Sequence, residues 1–422
     1  MDQQVAKLRE SEVRSYSRTI PATFATARDL YLVDDEGQTF VDFLSGCGSL
    51  NYGHNNTVIK AALLRYLEED GPALGLDLHT VARDAFLEAF DRRILAPRCL
   101  EYRLQFTGPT GTNAVEAAIK LARKATGRTN IIAFTNAFHG CSLGALSLTA
   151  NRHNRSSSSP MLTHVHRALY DGYLGRDVDT SEILRKQLYD ASGGLDEPAA
   201  IVVEVIQGEG GLNVASRSWM RNIASIAEEL GAVLIVDDIQ AGCGRSGRFF
   251  SFEEYGIKPD IVTMAKSISG FGLPMSIVLL KPELDVWSPG EHNGTFRGNN
   301  HAFVTAIAAL DHYWADNVFE AEVRRKANIL SAILVEFCAE TPFRAKGRGL
   351  MQGIDLCDEE LAKEVKNEAY RQKIIVELCG PRDEILKLMP PLTINENDLV
   401  TQTQRLLSIV TKLSTTSALR TL

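Results

Sequence analysis

The sequence predicts an α/β fold: a large, mainly parallel sheet covered by helices on both faces, accompanied by a smaller α/β domain. Two observations predict it. Between about residues 112 and 280, short β-branched apolar runs alternate with helical patterns, the signature of crossover units. After a long helical stretch from about His301 to Ala339, strand-like runs then flank one helix, as a second and smaller unit requires.

The elements follow in chain order. Leu30–Val33 and Thr39–Phe43 read as strands joined through Asp34-Asp35-Glu36-Gly37, a hairpin signal. Thr112–Ala125 carries helical spacing, as does Arg217–Leu230. The expected strands of the large sheet are Asn130–Phe134, Ala199–Ile206, Ala232–Asp237, Asp260–Met264 and Met275–Leu280. In the smaller unit, Gly349–Leu356 and Ile374–Leu378 are expected strands around a helix at Glu359–Arg371. The expected division is 1–55 as an N-terminal part of the small domain, 56–315 as the large domain and 316–422 as the C-terminal small domain. Ser156 to Ser159 reads as a solvated loop, and the residues from Ser414 onward as a frayed end without function.

Composition narrows the classes. The chain has 422 residues, 45% hydrophobic and 23% charged, which is ordinary globular usage and argues against disorder. A net charge of −8 disfavours nucleic acid or an anionic membrane surface as the main partner, because either needs a basic face. No apolar run approaches the roughly 18 residues of a membrane span, and Met1 to Pro21 lacks the apolar core of a secretory signal. The seven cysteines are dispersed without a Cys-x-x-Cys pair, so we expect a reduced, cytoplasmic protein with no metal site.

In sheets of this kind, ligands bind at the carboxyl ends of the strands. Val233–Asp238 (VLIVDD) runs an apolar strand into two carboxylates. A nucleotide hydrolase would also need a Gly-x-x-x-x-Gly-Lys-Ser/Thr loop, and the chain has none. Gly242-Cys243-Gly244-Arg245-Ser246-Gly247 fits a dinucleotide pattern in letter only. It starts five residues after Asp237 and runs into Arg248-Phe249-Phe250-Ser251-Phe252 instead of a small-residue helix. Lys266 ends a second strand, 29 residues after Asp237. An acid and a lysine converging on one crevice suit pyridoxal 5′-phosphate: the lysine bonds the aldehyde, and the acid keeps the pyridine nitrogen protonated. Gly108-Pro109-Thr110-Gly111-Thr112-Asn113 opens a helix, where free backbone N–H groups favour a phosphate, although capping by Thr112 or Asn113 explains the same letters. Phe138, in Asn136-Ala137-Phe138-His139-Gly140, supplies a flat face for the ring.

Gly111-Thr112, Phe138-His139-Gly140, Glu204–Gly211, Asp237-Asp238-Ile239-Gln240, Ala265-Lys266-Ser267 and Gly294-Thr295-Phe296 together resemble the class III pyridoxal-phosphate aminotransferases, in that family's order and from about Thr23 to Ile394. The resemblance implies the fold of type I pyridoxal-phosphate transferases. Within the family, Leu44–Asn56, Val236–Gly247 and Lys266–Asn300 are most similar to the diaminobutyrate–2-oxoglutarate subgroup of ectoine biosynthesis. That subgroup moves the amino group of L-glutamate to L-aspartate 4-semialdehyde. Aminotransferases acting on ornithine, 4-aminobutyrate or N-acetylornithine are the alternative within the family.

Residue by residue, the resemblance implies that Lys266 carries the cofactor and shuttles the proton, with Asp237 on the pyridine nitrogen and Gln240 on the ring hydroxyl. It implies Gly111 and Thr112 on the phosphate, Phe138 on the ring face, and Thr295 reaching the phosphate of a neighbouring subunit, hence a homodimer or higher oligomer. His139 reads as a buried, hydrogen-bonded side chain more readily than as a catalytic one. Glu209 matches a glutamate that pairs with an arginine and swings away to admit the glutamate α-carboxylate. Here the matching cation, in Ile385-Leu386-Lys387-Leu388-Met389-Pro390-Pro391, is Lys387, a point charge in place of a bidentate fork. Asp238 and Asn113 are two further departures from the commoner family pattern.

Overall fold

A computed structural model describes residues 4–155 and 161–420. Its largest sheet has seven strands in the spatial order Arg103–Phe106, Ile277–Leu280, Ile261–Met264, Val233–Asp237, Ala200–Val203, Ile131–Phe134 and Val165–Ala168. The five strands from Ile261–Met264 to Val165–Ala168 are parallel, whereas Ile277–Leu280 is antiparallel to both its neighbours. The α/β expectation therefore holds with one local reversal. The link from Met264 to Ile277 contains only the 3₁₀ turn Lys266–Ser269, with no helix to carry the chain across the sheet.

The inner strands were legible because both of their faces are buried: Ile131–Phe134, Ala200–Val203, Val233–Asp237, Ile261–Met264 and Ile277–Leu280 are covered throughout. Arg103–Phe106 and Val165–Ala168 were not foreseen. They form the two edges, and their mixed polarity is what an edge tolerates. The helix Gly111–Thr126 buries an alanine-rich face on the sheet and stops at Gly127, whose φ of 70° is left-handed. Arg217–Leu230 falls where expected; Ser216 Oγ accepts from Trp219 N–H at 3.3 Å, and Gly231 ends the helix.

The N-terminal hairpin forms as expected, with Val33 opposite Thr39 and Asp34 Oδ1 accepting from the amides of Glu36 and Gln38. Its second strand, Thr39–Asp42, pairs in parallel with Ile374–Ile375, so the two ends of the chain share one sheet. A further four-stranded antiparallel sheet is built from Arg344–Arg348, Met351–Asp355, Ile385–Leu388 and Glu377–Cys379. The long helical stretch divides into Asn300–Tyr313 and Val318–Ala339, interrupted where Asp316 Oδ1 accepts from Val318 N–H. The Ser156-to-Ser159 loop lies outside the described residues. The expected fraying from Ser414 is corrected: the helix Glu396–Arg420 runs through it, with the hydroxyls of Ser414 and Thr415 bonding back to the Thr411 carbonyl. No described helix is long and apolar enough to cross a membrane.

The glycine-rich run Gly242–Gly247 binds no strand end. It presents Arg245, a fully buried side chain that clamps three distant segments. Its guanidinium donates to Asn51 Oδ1 at 2.6 and 3.1 Å, to the Leu350 carbonyl at 2.8 Å and to the Pro390 carbonyl at 2.5 Å. Without a carboxylate beside it, burial pulls its pKa down to about 9. Arg245→Ala removes four donor contacts and strands three buried acceptors, so we expect a melting temperature lower by roughly 5 °C or more, measured by calorimetry on the purified protein.

Candidate active site

The strands Val233–Asp237 and Ile261–Met264 run side by side in parallel, with Asp237 opposite Thr263. Their carboxyl ends therefore deliver Asp237 and Lys266 to one cavity of about 390 Å³. Gly111, Thr112, Phe138, Gln240, Glu209, Glu204 and His139 also line it. Of the residues singled out from sequence, Thr295, Lys387, Asn113 and Asp238 do not. Thr295 is exposed on its own chain, in a turn whose Gly294 packs beside Gly108, and Lys387 lies buried behind Glu209.

Lys266 follows the strand after one residue and has φ of 52°, a left-handed conformation that costs a non-glycine residue roughly 1–2 kcal/mol. The adjoining Ser267 holds it there. Ser267 Oγ donates to the Gly48 carbonyl at 2.8 Å and accepts from Asn51 N–H at 3.0 Å. The receiving turn is itself left-handed: Ser45, Gly46, Cys47 and Gly48 have φ of 47°, 57°, 56° and 83°. Burial lowers the Lys266 pKa, opposed by the charge of Glu209 and reinforced by that of Lys387.

Asp237 is buried and accepts from Thr263 Oγ1 at 3.1 Å and from Ile239 N–H at 3.2 Å through one oxygen. Its other oxygen lies 2.7 Å from His139 Nδ1. Burial disfavours the imidazolium, but the hydrogen bond and charge of Asp237, with that of Glu204, prevail and raise the His139 pKa. His139 Nε2 is buried without a partner. Glu204 was part of a motif in the sequence but carried no assigned role. It accepts from Phe138 N–H at 3.0 Å, and burial pushes its pKa to about 7.

The helix Gly111–Thr126 presents its first amides to the same cavity, with Gly111 packed beside Ile239 and Ala265. Asn113 Oδ1 accepts from Thr110 N–H and Oγ1, so Asn113 caps the turn while Thr112 bonds Ser142. A Cβ on Gly111 would lie 3.0 Å from the Ile239 side chain, so a larger residue here would have to push Ile239 aside. Gln240 Nε2 donates to Glu209 Oε1 at 2.9 Å and to the Cys47 carbonyl at 3.2 Å, leaving its Oε1 buried and unpartnered. Two orphaned polar atoms, a helix N-terminus, a flat aromatic and an amine of lowered pKa fit a planar, hydroxylated, phosphate-bearing aldehyde.

The comparisons agree. A family model described as aminotransferase class III matches residues 13–410. The chain belongs to the class III aminotransferases. Its cofactor is pyridoxal 5′-phosphate. The chain is 52% identical over 398 residues to a protein of Vibrio cholerae named diaminobutyrate–2-oxoglutarate transaminase, covering 94% of this chain and 96% of that one. A protein of the same name from Halomonas elongata is 50% identical over 406 residues, covering 95% of this chain and 96% of the relative. Among solved structures, an S-selective transaminase of Bacillus megaterium superposes with a TM-score of 0.88 at 20% identity, covering 98% of this chain and 99% of that one, a likeness of fold.

Lys387 bonds Glu209 Oε1 at 2.8 Å, and it also lies 2.9 Å from Glu377 Oε2. Glu377 was missed. It stands in an expected strand with nothing local to mark it, and only the cross-strand register Glu377↔Lys387 reveals the pair. Tyr16 was missed for the same reason; its hydroxyl donates to Glu377 Oε1 at 2.6 Å and lies 2.8 Å from Cys47 Sγ. Lys387 and Lys266 hold the Glu209 carboxyl at about 2 against the opposing effect of burial.

Asp238 points away from the cavity, accepting from Ser251 N–H at 3.0 Å. Burial raises its pKa to about 7. The sign of the linkage follows. The folded state keeps this proton above pH 4, where the unfolded chain has lost it. Stability attributable to Asp238 is therefore present at low pH and lost as the pH rises toward 7. Asp238→Asn removes the buried charge and leaves an amide oxygen to accept from Ser251. We expect it to melt roughly 3–5 °C above the parent at pH 8 and at the same temperature at or below about pH 4.

Proposed function

We propose that this enzyme transfers the amino group of L-glutamate to L-aspartate 4-semialdehyde, yielding L-2,4-diaminobutyrate and 2-oxoglutarate. The observation that carries this reading is identity of about 50% over nearly the whole chain to several relatives bearing the same transaminase name. When bound, pyridoxal phosphate supplies the electron sink that makes the substrate C–H bond acidic. The remaining chemistry falls to residues of this chain.

Lys266 would hold the cofactor covalently and, released, move the proton. Burial favours its neutral amine, the form able to accept one. Asp237 would face the pyridine nitrogen, aligned by Thr263, Ile239 N–H and His139. Gly111 and Thr112 would meet the phosphate at the helix N-terminus, Phe138 the ring face, and Gln240 the ring hydroxyl. Glu209 would leave Lys387 when glutamate presents its α-carboxylate, and stay when the semialdehyde presents none at that point.

We also infer a homodimer or larger assembly of this chain, working in the cytoplasm. Leu74, Leu76, Leu78, Val81 and Phe296 are exposed, and the bridge between Leu74 and Asn299 brings the segments that carry them together beside Thr295. A second copy covering that patch would bring Thr295 to the neighbour's phosphate.

The purified protein should show a visible absorbance band that shifts on adding L-glutamate and returns with aspartate 4-semialdehyde. A band that ignores glutamate, or an aminated form that accepts ornithine-derived aldehydes and not aspartate semialdehyde, overturns the substrate assignment. Lys266→Ala should lower turnover at least about a hundredfold, followed as 2-oxoglutarate formed.

A further inference from the structure

Lys387 has no solvent exposure, and two carboxylates meet it from different sides. The Glu209 side chain keeps about a third of its exposure and faces the cavity. Glu377 is 8% exposed and stands behind the lysine, directly across the antiparallel pair Glu377–Cys379 and Ile385–Leu388. The two contacts also differ in kind. Glu209 and Lys387 share an aligned hydrogen bond at 2.8 Å, whereas Glu377 offers charge at 2.9 Å without that alignment. Glu377 is further fixed by Tyr16, which donates to its other oxygen.

We propose that Glu377 is the standing counter-ion of Lys387, keeping this buried ammonium charged and in place while Glu209 yields its seat to a substrate carboxylate. The inference rests on the exchange at Lys387 proposed above. Its physical basis is that stripping the last partner from a buried charge is strongly unfavourable, more so than any single exposed ion pair. A lysine held by Glu209 alone would lock Glu209 to it. With Glu377 behind it, the cluster carries a net charge of one negative unit when Glu209 is docked and is neutral when Glu209 has left, so the lysine is never unpaired.

The backbone supports this division of labour. Glu377 and Lys387 are locked in opposing strands. Glu209 sits in the turn between Ile206–Gln207 and Asn213–Val214, flanked by Gly208 and Gly210. Its carbonyl accepts from Gly380 N–H at 3.0 Å, which ties down the chain and leaves the side chain to move. Among the described residues, the one further hydrogen bond to the Glu209 carboxylate comes from Gln240, at 2.9 Å, and the charge of Lys266 adds to it.

The test combines stability with the two half-reactions of the holoenzyme. E209Q, E377Q and the double variant are melted in the wild-type and in the K387M background. We expect the double variant to lose more than the sum of the singles, and the excess to vanish once K387M removes the charge. Simple additivity in the wild-type background overturns the proposal. Should the double variant fail to fold, its recovery by K387M supports the proposal, and failure to recover overturns it. In single turnovers, E377Q should slow the glutamate half-reaction at least tenfold more than the diaminobutyrate half-reaction, with partial rescue in E377D. Equal slowing of both halves marks a structural role and overturns the proposal. E209Q separates the two claims. If it leaves the ratio of the half-reactions unchanged, the exchange at Lys387 fails; if it shifts the ratio and E377Q does not, only the role of Glu377 fails.

Discussion

Everything at the site depends on the parallel pairing of Val233–Asp237 with Ile261–Met264. Because Asp237 lies opposite Thr263, the chain that continues past each strand emerges into the same crevice. Across this pair Thr263 Oγ1 donates to Asp237 Oδ1 at 3.1 Å, a contact that a one-residue slip, by turning each side chain to the other face, would break. Ser267 then anchors the lysine loop to the Ser45–Gly48 turn, and Gln240 reaches the same turn from the other strand. The N-terminal turn is therefore a wall of the site. Its left-handed backbone persists because both anchors and the Asn51–Arg245 contacts over-determine it.

This explains which parts of the site could be read from sequence. Asp237, Lys266 and Gly111-Thr112 are marked by local grammar: an apolar strand ending in an acid, a second ending in a lysine, and a glycine opening a helix. Their convergence follows from sheet topology alone. His139 had the same visibility but not the same reading. The sequence favoured a buried, hydrogen-bonded side chain, which it is; the partner, Asp237, makes that bond part of the site. Glu377, Tyr16 and Arg245 had no such marks. Glu377 meets Lys387 through strand register, Tyr16 meets Glu377 across 361 positions of chain, and Arg245 was hidden in a glycine pattern that points toward a different chemistry.

The buried charges differ in how they are satisfied, and the difference separates working groups from structural ones. Glu209 has cations close by and remains ionised. At Asp238 burial dominates, and at Glu204 it outweighs the nearby charge of His139, so both carboxyls are pushed up to about 7. Asp237 instead collects three hydrogen-bond partners, and His139 accordingly gains basicity. An acid that must face a pyridinium needs donors that favour its charged form. An acid tucked behind the strand, as Asp238 is, needs only to be tolerated.

Lys387 differs from an arginine by more than the loss of a fork. A guanidinium can serve two carboxylates through separate N–H pairs, so one partner leaving still lets it stay bonded. An ammonium concentrates its charge at a point and is more strongly hydrated, which makes its isolation in a dry interior less tolerable. The chain places a second carboxylate behind the lysine and a tyrosine behind that carboxylate. Each of the three lies on a different element: Lys387 and Glu377 on opposing strands, Tyr16 on the N-terminal helix Tyr16–Thr19. The N-terminal segment thereby folds back over the C-terminal sheet to complete the cluster around Lys387, and the parallel pairing of Thr39–Asp42 with Ile374–Ile375 holds it there.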